Sequence, residues 1–252
     1  MPKKWLRALT LGVAALILLY PLWGLFAPVG TWQWRGSGTR HALATSFELT
    51  GIALALVVLI GTPLAWSLRG ARRPLRLGFE AVVLLSVLMP PLALGLLLTL
   101  AFGPTTGLGA LLLRLGVPVS NSPLAFVVTQ VYASFGYYLL GAAAAFEAVP
   151  RDLEESAALL GLRPWAVFLR VTLPLARLGL AAAMSLAWVR ALGEFGAVMV
   201  TAYYPHGIPV QLWTNLQDSG LPAVMPLLMI FLLTALPLPW ILRLLSDYRQ
   251  HA

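Results

Sequence analysis

Six mostly apolar stretches recur along the chain, at 8–27, 42–67, 79–101, 123–146, 177–202 and 220–245. Each has the roughly 20 residues that a helix needs to cross the hydrocarbon core of a bilayer. Polar or Gly/Pro-rich segments separate them, including GTWQWRGSGTR (30–40), RGARRPLR (69–76) and YYPHGIPVQLWTNLQDSG (203–220). The pattern predicts an all-α membrane protein of six transmembrane helices, forming a single transmembrane domain over 1–252. With 60% hydrophobic and 10% charged residues, a soluble fold of this size would expose large apolar patches.

The first stretch follows Lys3, Lys4 and Arg7, as a signal peptide would. However, PLWGLFAP offers no small-x-small cleavage site, so a retained membrane anchor is expected. The chain has no cysteine, which excludes disulfide and thiolate chemistry.

The distribution of charge gives an orientation. Lys3, Lys4, Arg7, Arg69, Arg72, Arg73, Arg76, Arg151, Arg163, Arg170, Arg177, Arg243 and Arg249 fall on one side of the predicted spans. Only Arg35, Arg40 and Arg114 fall on the other, and Arg190 lies within a span. The positive-inside rule then places both termini in the cytoplasm, in a multi-pass protein of the cytoplasmic (inner) membrane surrounded by lipid. The net charge of +8 is spread between the apolar runs and forms no single basic patch, so no nucleic-acid partner is expected. Trp23, Trp66, Trp213 and Trp240 sit near predicted span ends, where an amphipathic ring suits the interface.

Two features interrupt the apolar spans. MPPLALG (89–95) places Pro90 and Pro91 in the third span, where two missing donors should kink or split the helix. Such a break could be a path-lining hinge or a plain packing kink. In the fifth span, Arg190 and Glu194 are four residues apart, on one face of a continuous helix. An unpaired charge at mid-membrane costs about 2.5–3.5 kcal/mol on insertion scales, and pairing offsets part of that. They form either a structural ion pair or a polar lining of a pathway or dimer contact.

The segment 147–176 reads as a charged hairpin outside the membrane. Asp152 followed by Glu155 has the spacing of a capping box that starts a helix. Leu153, Ala157 and Leu160 share a face. Gly161 is expected to end that helix in a left-handed conformation. Pro164 suits the first turn of a second short helix, carrying Trp165, Phe168 and Leu169 and running to Pro174. The centre is small (Ser156, Ala157, Ala158), permitting close approach of another surface. A helix lying on lipid should carry Lys or Arg on its polar face, whereas this one carries Glu154 and Glu155, so a protein partner is expected.

The order Glu155, Ser156, Ala157, then Gly161, then Val171-x-Leu173-Pro174 resembles the cytoplasmic motif of binding-protein-dependent ABC importer permeases. That pattern is Glu-Ala-Ala, three residues, Gly, nine residues, Ile-x-Leu-Pro, from which Ser156 and Val171 depart. RALGEFGA (190–197), together with AYYP (202–205) and SGLPAVMP (219–226), resembles the permeases for tetrahedral oxyanions, molybdate and tungstate above all, with sulfate as the alternative. The resemblance extends over about residues 40–245.

It implies a type I importer fold in which 152–161 is the coupling helix. Asp152, Leu153, Glu154, Glu155, Ser156, Ala157, Ala158, Leu160, Gly161 and Pro174 would then engage an ATPase. Arg190, Glu194, Pro90 and Pro91 are the pathway candidates. The implied partners are a second copy of the chain, two ATP-binding subunits and an extracytoplasmic oxyanion-binding protein. ATP and Mg would be held by the ATPase, with no cofactor or metal in this chain.

Other function classes fit less well. His41, His206 and His251 all lie away from mid-span, and the chain has no His-Glu-x-x-His, Gly-x-Ser-x-Gly or P-loop, so no catalytic residues are expected. An ATP-independent channel or secondary carrier would leave the hairpin without a role. No internal repeat of the kind common in secondary carriers is evident.

Overall fold

The computed structural model describes residues 2–26 and 37–235, and all regular structure among them is helical. Helix α1 (Pro2–Leu19) tightens, one residue before Pro21, into a 3-10 stretch, Tyr20–Phe26. From Ala8 to Phe26 its side chains are almost all exposed, and they are apolar all round. Such a helix needs lipid or another helix about it.

Three long helices build the core. They are α2 (Ser37–Arg69), α6 (Pro123–Glu147) and α9 (Leu173–Leu192), the last continuing upstream through further helical turns to Pro164. Helix α6 starts where Ser122 caps the Ala125 N–H at 3.1 Å and Pro123 takes the first position. Helices α6 and α9 cross through small residues. A Cβ on Gly141 would lie 2.7 Å from the Ala183 Cβ, and one on Gly179 would lie 2.5 Å from the Ala145 Cβ. Each helix therefore offers a Gly-x-x-x-Ala pair to the other, which lets the backbones approach closely inside a membrane. Helix α2 closes on the same core, where the Tyr138 ring fills the space beside Gly61 and its hydroxyl lies 2.6 Å from the Thr62 hydroxyl. Val57, Leu139, Phe146, Phe168, Trp188 and Leu192 complete this cluster.

Four helical stretches are long and apolar enough to cross a membrane: Ala8–Phe26, Gly38–Arg69, Pro123–Glu147 and Pro164–Leu192. The third predicted span is not one helix. It divides into α3 (Arg73–Leu88) and α4 (Pro91–Phe102), bent by 110° at Met89–Pro90, and counts as a fifth crossing if the pair is taken together. The fifth predicted span, 177–202, is also broken. Helix α9 ends at Leu192, and α10 (Gly196–Thr201) begins after a three-residue link. The sixth is seen as α12 (Leu221–Ala235), and its predicted remainder, 236–245, lies outside the described residues. So do Arg35, Trp240, Arg243, Arg249 and His251, and the side chains of Lys3, Lys4 and Arg7.

Two stretches expected to be connections hold helices of their own, α5 (Gly107–Arg114) and α11 (Ile208–Ser219). Pro209 in the first turn of α11 explains why a helix starts in that Gly/Pro-rich run.

Candidate functional site

Helix α7 (Arg151–Leu159) forms the first arm of the hairpin, but it does not start with the expected capping box. Its N-cap is Pro150, at φ −61° and ψ 128°, and no side chain caps the helix. The extended Pro150 sets the helix going two residues before Asp152 could cap it. Asp152 and Glu154 instead lie in the first turn, where their charge still complements the helix N-terminus. The other end matches expectation. Gly161 has φ +86°, its N–H bonds to the Ala158 carbonyl at 2.9 Å, and the Leu162 N–H bonds to the Ala157 carbonyl at 3.2 Å. This is the paired 5→2 and 6→1 pattern of a Schellman motif.

The apolar face of α7 also differs from expectation. Of Leu153, Ala157 and Leu160, only Ala157 is buried, while Leu160 and its neighbour Leu159 are 86% and 90% exposed. The second arm is not a separate short helix. It runs from α8 (Pro164–Val167) through a π turn at Phe168–Thr172 straight into α9. Pro174 lies in the first turn of α9, where its lack of an N–H removes the bond to Arg170, while Leu173 reaches back to Phe168.

Glu154 joins the hairpin to the membrane helices. Its carboxylate accepts from Arg69 Nη1 at 2.6 and 2.7 Å and from the Thr172 hydroxyl at 2.6 Å. Arg69 Nη2 also donates to the Val149 carbonyl. The Arg69 side chain is only 9% exposed and that of Glu154 20%. One carboxylate therefore ties α7 to the end of α2 and to the π turn ahead of α9. Phe168 adds an apolar tie, with its ring 4.7 Å from Trp66, 5.4 Å from Trp165 and 6.0 Å from Phe146. Arg69 and Thr172 were not singled out from the sequence, because Arg69 reads there only as one more flanking charge. Glu155, Ser156 and Ala158 are exposed along α7.

The pathway candidates converge on a second place. Gly95 of α4 meets α10 so closely that a Cβ there would lie 2.8 Å from the Ala197 Cα. A Cβ on Gly196 would lie 2.8 Å from the Pro91 Cβ. The two helix breaks thus face one another. Arg190 and Glu194 pair as expected, but not along a continuous helix: Arg190 is in the last turn of α9, and Glu194 lies in the link beyond its end. Glu194 is fully buried and accepts the Ala197 N–H at 2.7 Å, capping the start of α10. The Arg190 guanidinium sits 5.7 Å from the Tyr137 ring centroid. Each charge complements the helix end beside it, cation at a C-terminus and anion at an N-terminus. Among the described residues, no cluster of three His, Cys, Asp or Glu could hold a metal.

The chain's relatives are transport components. It is 35% identical over 241 residues, 91% of this chain and 86% of the relative, to a probable molybdenum ABC transporter permease protein of Haloferax volcanii. It is 29% identical over 196 residues, 77% of this chain and 74% of the relative, to the molybdate/tungstate transport system permease protein of Thermococcus kodakarensis. Its fold matches a chain of a bacterial ABC transporter that imports the acidic polysaccharide alginate. The TM-score is 0.76 at 18% identity, covering 98% of this chain and 96% of the other. The family profile described as "Binding-protein-dependent transport system inner membrane component" matches residues 57–248. With these relatives and its several apolar helices, this is a multi-pass permease of the inner membrane, and the chain belongs to the binding-protein-dependent transport system inner membrane component family.

Proposed function

We propose that the chain is the membrane subunit of an ATP-driven importer of molybdate or tungstate. It would work as a homodimer with two ATP-binding subunits and an extracytoplasmic oxyanion-binding protein. The names of relatives that align along most of its length support the substrate. For the mechanism, the single observation that carries the proposal is the Glu154 junction. A short helix with exposed Leu159 and Leu160 at its tip is fastened to α2 and, through the π turn, to α9. A force applied to α7 by a partner would reach both helices without first unfolding the hairpin.

In this proposal the hairpin and both termini face the cytoplasm, and α12 with the residues that follow it completes six spans of the type I fold. ATP and Mg bind the partner ATPases, whose closure moves α7. Helices α2 and α9 carry that motion to the facing breaks at Pro90–Pro91 and Gly193–Phe195, which open the path alternately to each side. The selective contacts to the anion belong to the binding protein. This chain's role is a path that does not hold the ion, and the neutralised Arg190–Glu194 pair suits that.

The test is ATP hydrolysis by the reconstituted complex with the binding protein empty or loaded with molybdate, tungstate, sulfate or phosphate. Stimulation by the molybdate- or tungstate-loaded form is expected. Stimulation by sulfate alone would move the substrate. Anion flux through the chain without any ATPase would overturn the importer mechanism.

A further inference from the structure

Five arginines crowd the turn between α2 and α3 and the start of α7: Arg69, Arg72, Arg73, Arg76 and Arg151. The coupling role uses only Arg69. Four of them, Arg69, Arg73, Arg76 and Arg151, line one open groove together with Ala71, Leu77 and Glu80. Arg69 is occupied by Glu154. Arg76 is occupied by Glu80, at 2.7 Å, and by Glu147. Among the described residues, neither the Arg73 nor the Arg151 guanidinium has a carboxylate partner. Glu80 is the only acid lining the groove, and Glu154 and Glu155 lie outside it. The groove thus carries two exposed cations that make no ion pair, Arg73 and Arg151, beside two already paired ones, although Arg151 also borders the adjoining groove that Glu154 and Glu155 line. Arg73 and Arg151 also open helices that have no side-chain cap, so each cation sits where the helix end is itself positive.

The groove has one apolar exit. Leu77 lines it, and Leu77, Ala81, Leu84, Leu85 and Leu88 are exposed along one side of α3, the first half of a broken crossing. A free phosphate would use the arginines and leave this strip idle. An acidic protein surface would do the same, because the strip runs down into the hydrocarbon. A molecule with an anionic head and an apolar tail uses both. We propose that this groove binds the phosphodiester headgroup of an anionic phospholipid, held between Arg73 and Arg151, with an acyl chain lying along α3. Guanidinium forks suit phosphate oxygens, and basic pockets beside membrane helices are suited to such headgroups. The bound lipid joins the start of α3 to the start of α7. The stability of the hairpin therefore depends on lipid charge as well as on Glu154. This inference rests on membrane placement and is independent of which anion is transported.

The test uses the full chain, purified with its partners in neutral detergent. Retention of phosphatidylglycerol and of phosphatidylcholine is measured by native mass spectrometry, with and without inorganic phosphate as competitor. The variant is Arg73→Gln/Arg151→Gln, and the charge-matched control is Arg40→Gln/Arg114→Gln. At about fivefold per arginine, the variant is expected to bind phosphatidylglycerol about 25-fold more weakly, with the control unchanged. Arg73→Lys/Arg151→Lys is expected to recover most of the binding, which separates charge from folding. Equal retention in variant and control overturns the site. Full displacement by millimolar inorganic phosphate assigns the groove to the soluble ion and overturns the lipid. Loss of the ATPase subunit from the variant with lipid retention intact gives the arginines to a protein partner and overturns it as well.

Discussion

Glu154→Gln tests whether the hairpin is a mechanical link. The substitution keeps the shape and leaves Thr172 and Arg69 able to hydrogen-bond a neutral carbonyl, but it removes the charge. Hydrogen bonds to charged groups contribute about 1.5–3 kcal/mol and neutral ones about 0.5–1.5 kcal/mol. With Arg69 9% and Glu154 20% exposed, the pair lies between a surface ion pair, at about 0.2–1 kcal/mol, and a buried one, whose disruption costs about 3–5 kcal/mol. A loss of about 1–2 kcal/mol in hairpin docking follows, which is roughly a 5- to 30-fold shift toward an undocked α7. The assay is anion transported per ATP hydrolysed in proteoliposomes, beside the melting temperature of the complex. Glu154→Gln is expected to lower the transport ratio several-fold while the ATPase subunits stay bound through Leu159 and Leu160. Arg69→Gln should do the same, and the double variant should be little worse than either single one, because both remove one interaction. Additive losses in the double variant would refute the link and reduce Glu154 and Arg69 to independent surface residues.

Gly161→Ala is expected to cost about 1 kcal/mol of hairpin stability through its φ of +86°, since a Cβ there meets nothing within 4 Å; reduced ATP-driven uptake at equal expression checks it. Gly95→Val should destabilise the fold by about 1–3 kcal/mol or more, because its first carbon would lie 2.8 Å from the Ala197 backbone, whereas Gly78→Ala, in open space inside α3, should stabilise by about 0.5–1 kcal/mol; thermal melting in detergent separates the two. Glu194→Gln leaves Arg190 facing a neutral amide at the end of α9, and a melting temperature lowered by several degrees, with assembly retained, is the expected readout.

Local chemistry made some features legible in the sequence. The double proline breaks the third span where the missing donors require it, and Gly161 turns the chain as a glycine just past a helix end implies. Pro164 opens the next helix for the same kind of reason. The capping box misled because Pro150 starts the helix earlier, and no rule of spacing ranks a proline N-cap above an Asp two residues on. The break after Leu192 is weakly marked in the sequence, because the apolar run continues past it and glycines such as Gly193 and Gly196 are common within membrane helices, and only the contact with α4 shows why the chain turns there. The Gly-x-x-x-Ala pairs at Gly141–Ala145 and Gly179–Ala183 were open to inspection and carry the main crossing. Arg69 could not be found from sequence alone, since its partner is 85 residues away and its charge has a sufficient explanation in topology.

The bend between α3 and α4 has a kinematic consequence. With α4 set at 110° to α3, it projects sideways as a crank arm from a shaft. Twelve residues give that arm a length of about 18 Å, so a 20° twist of α3 about its own axis would sweep the far end of α4 through about 6 Å. Neither helix would need to slide or unwind. Because Gly95 and Gly196 lock α4 against α10, the swept segment would carry α10 with it. A small rotation of α3 would thus become a sideways displacement at the far end of α4 and of the α10 segment packed on it.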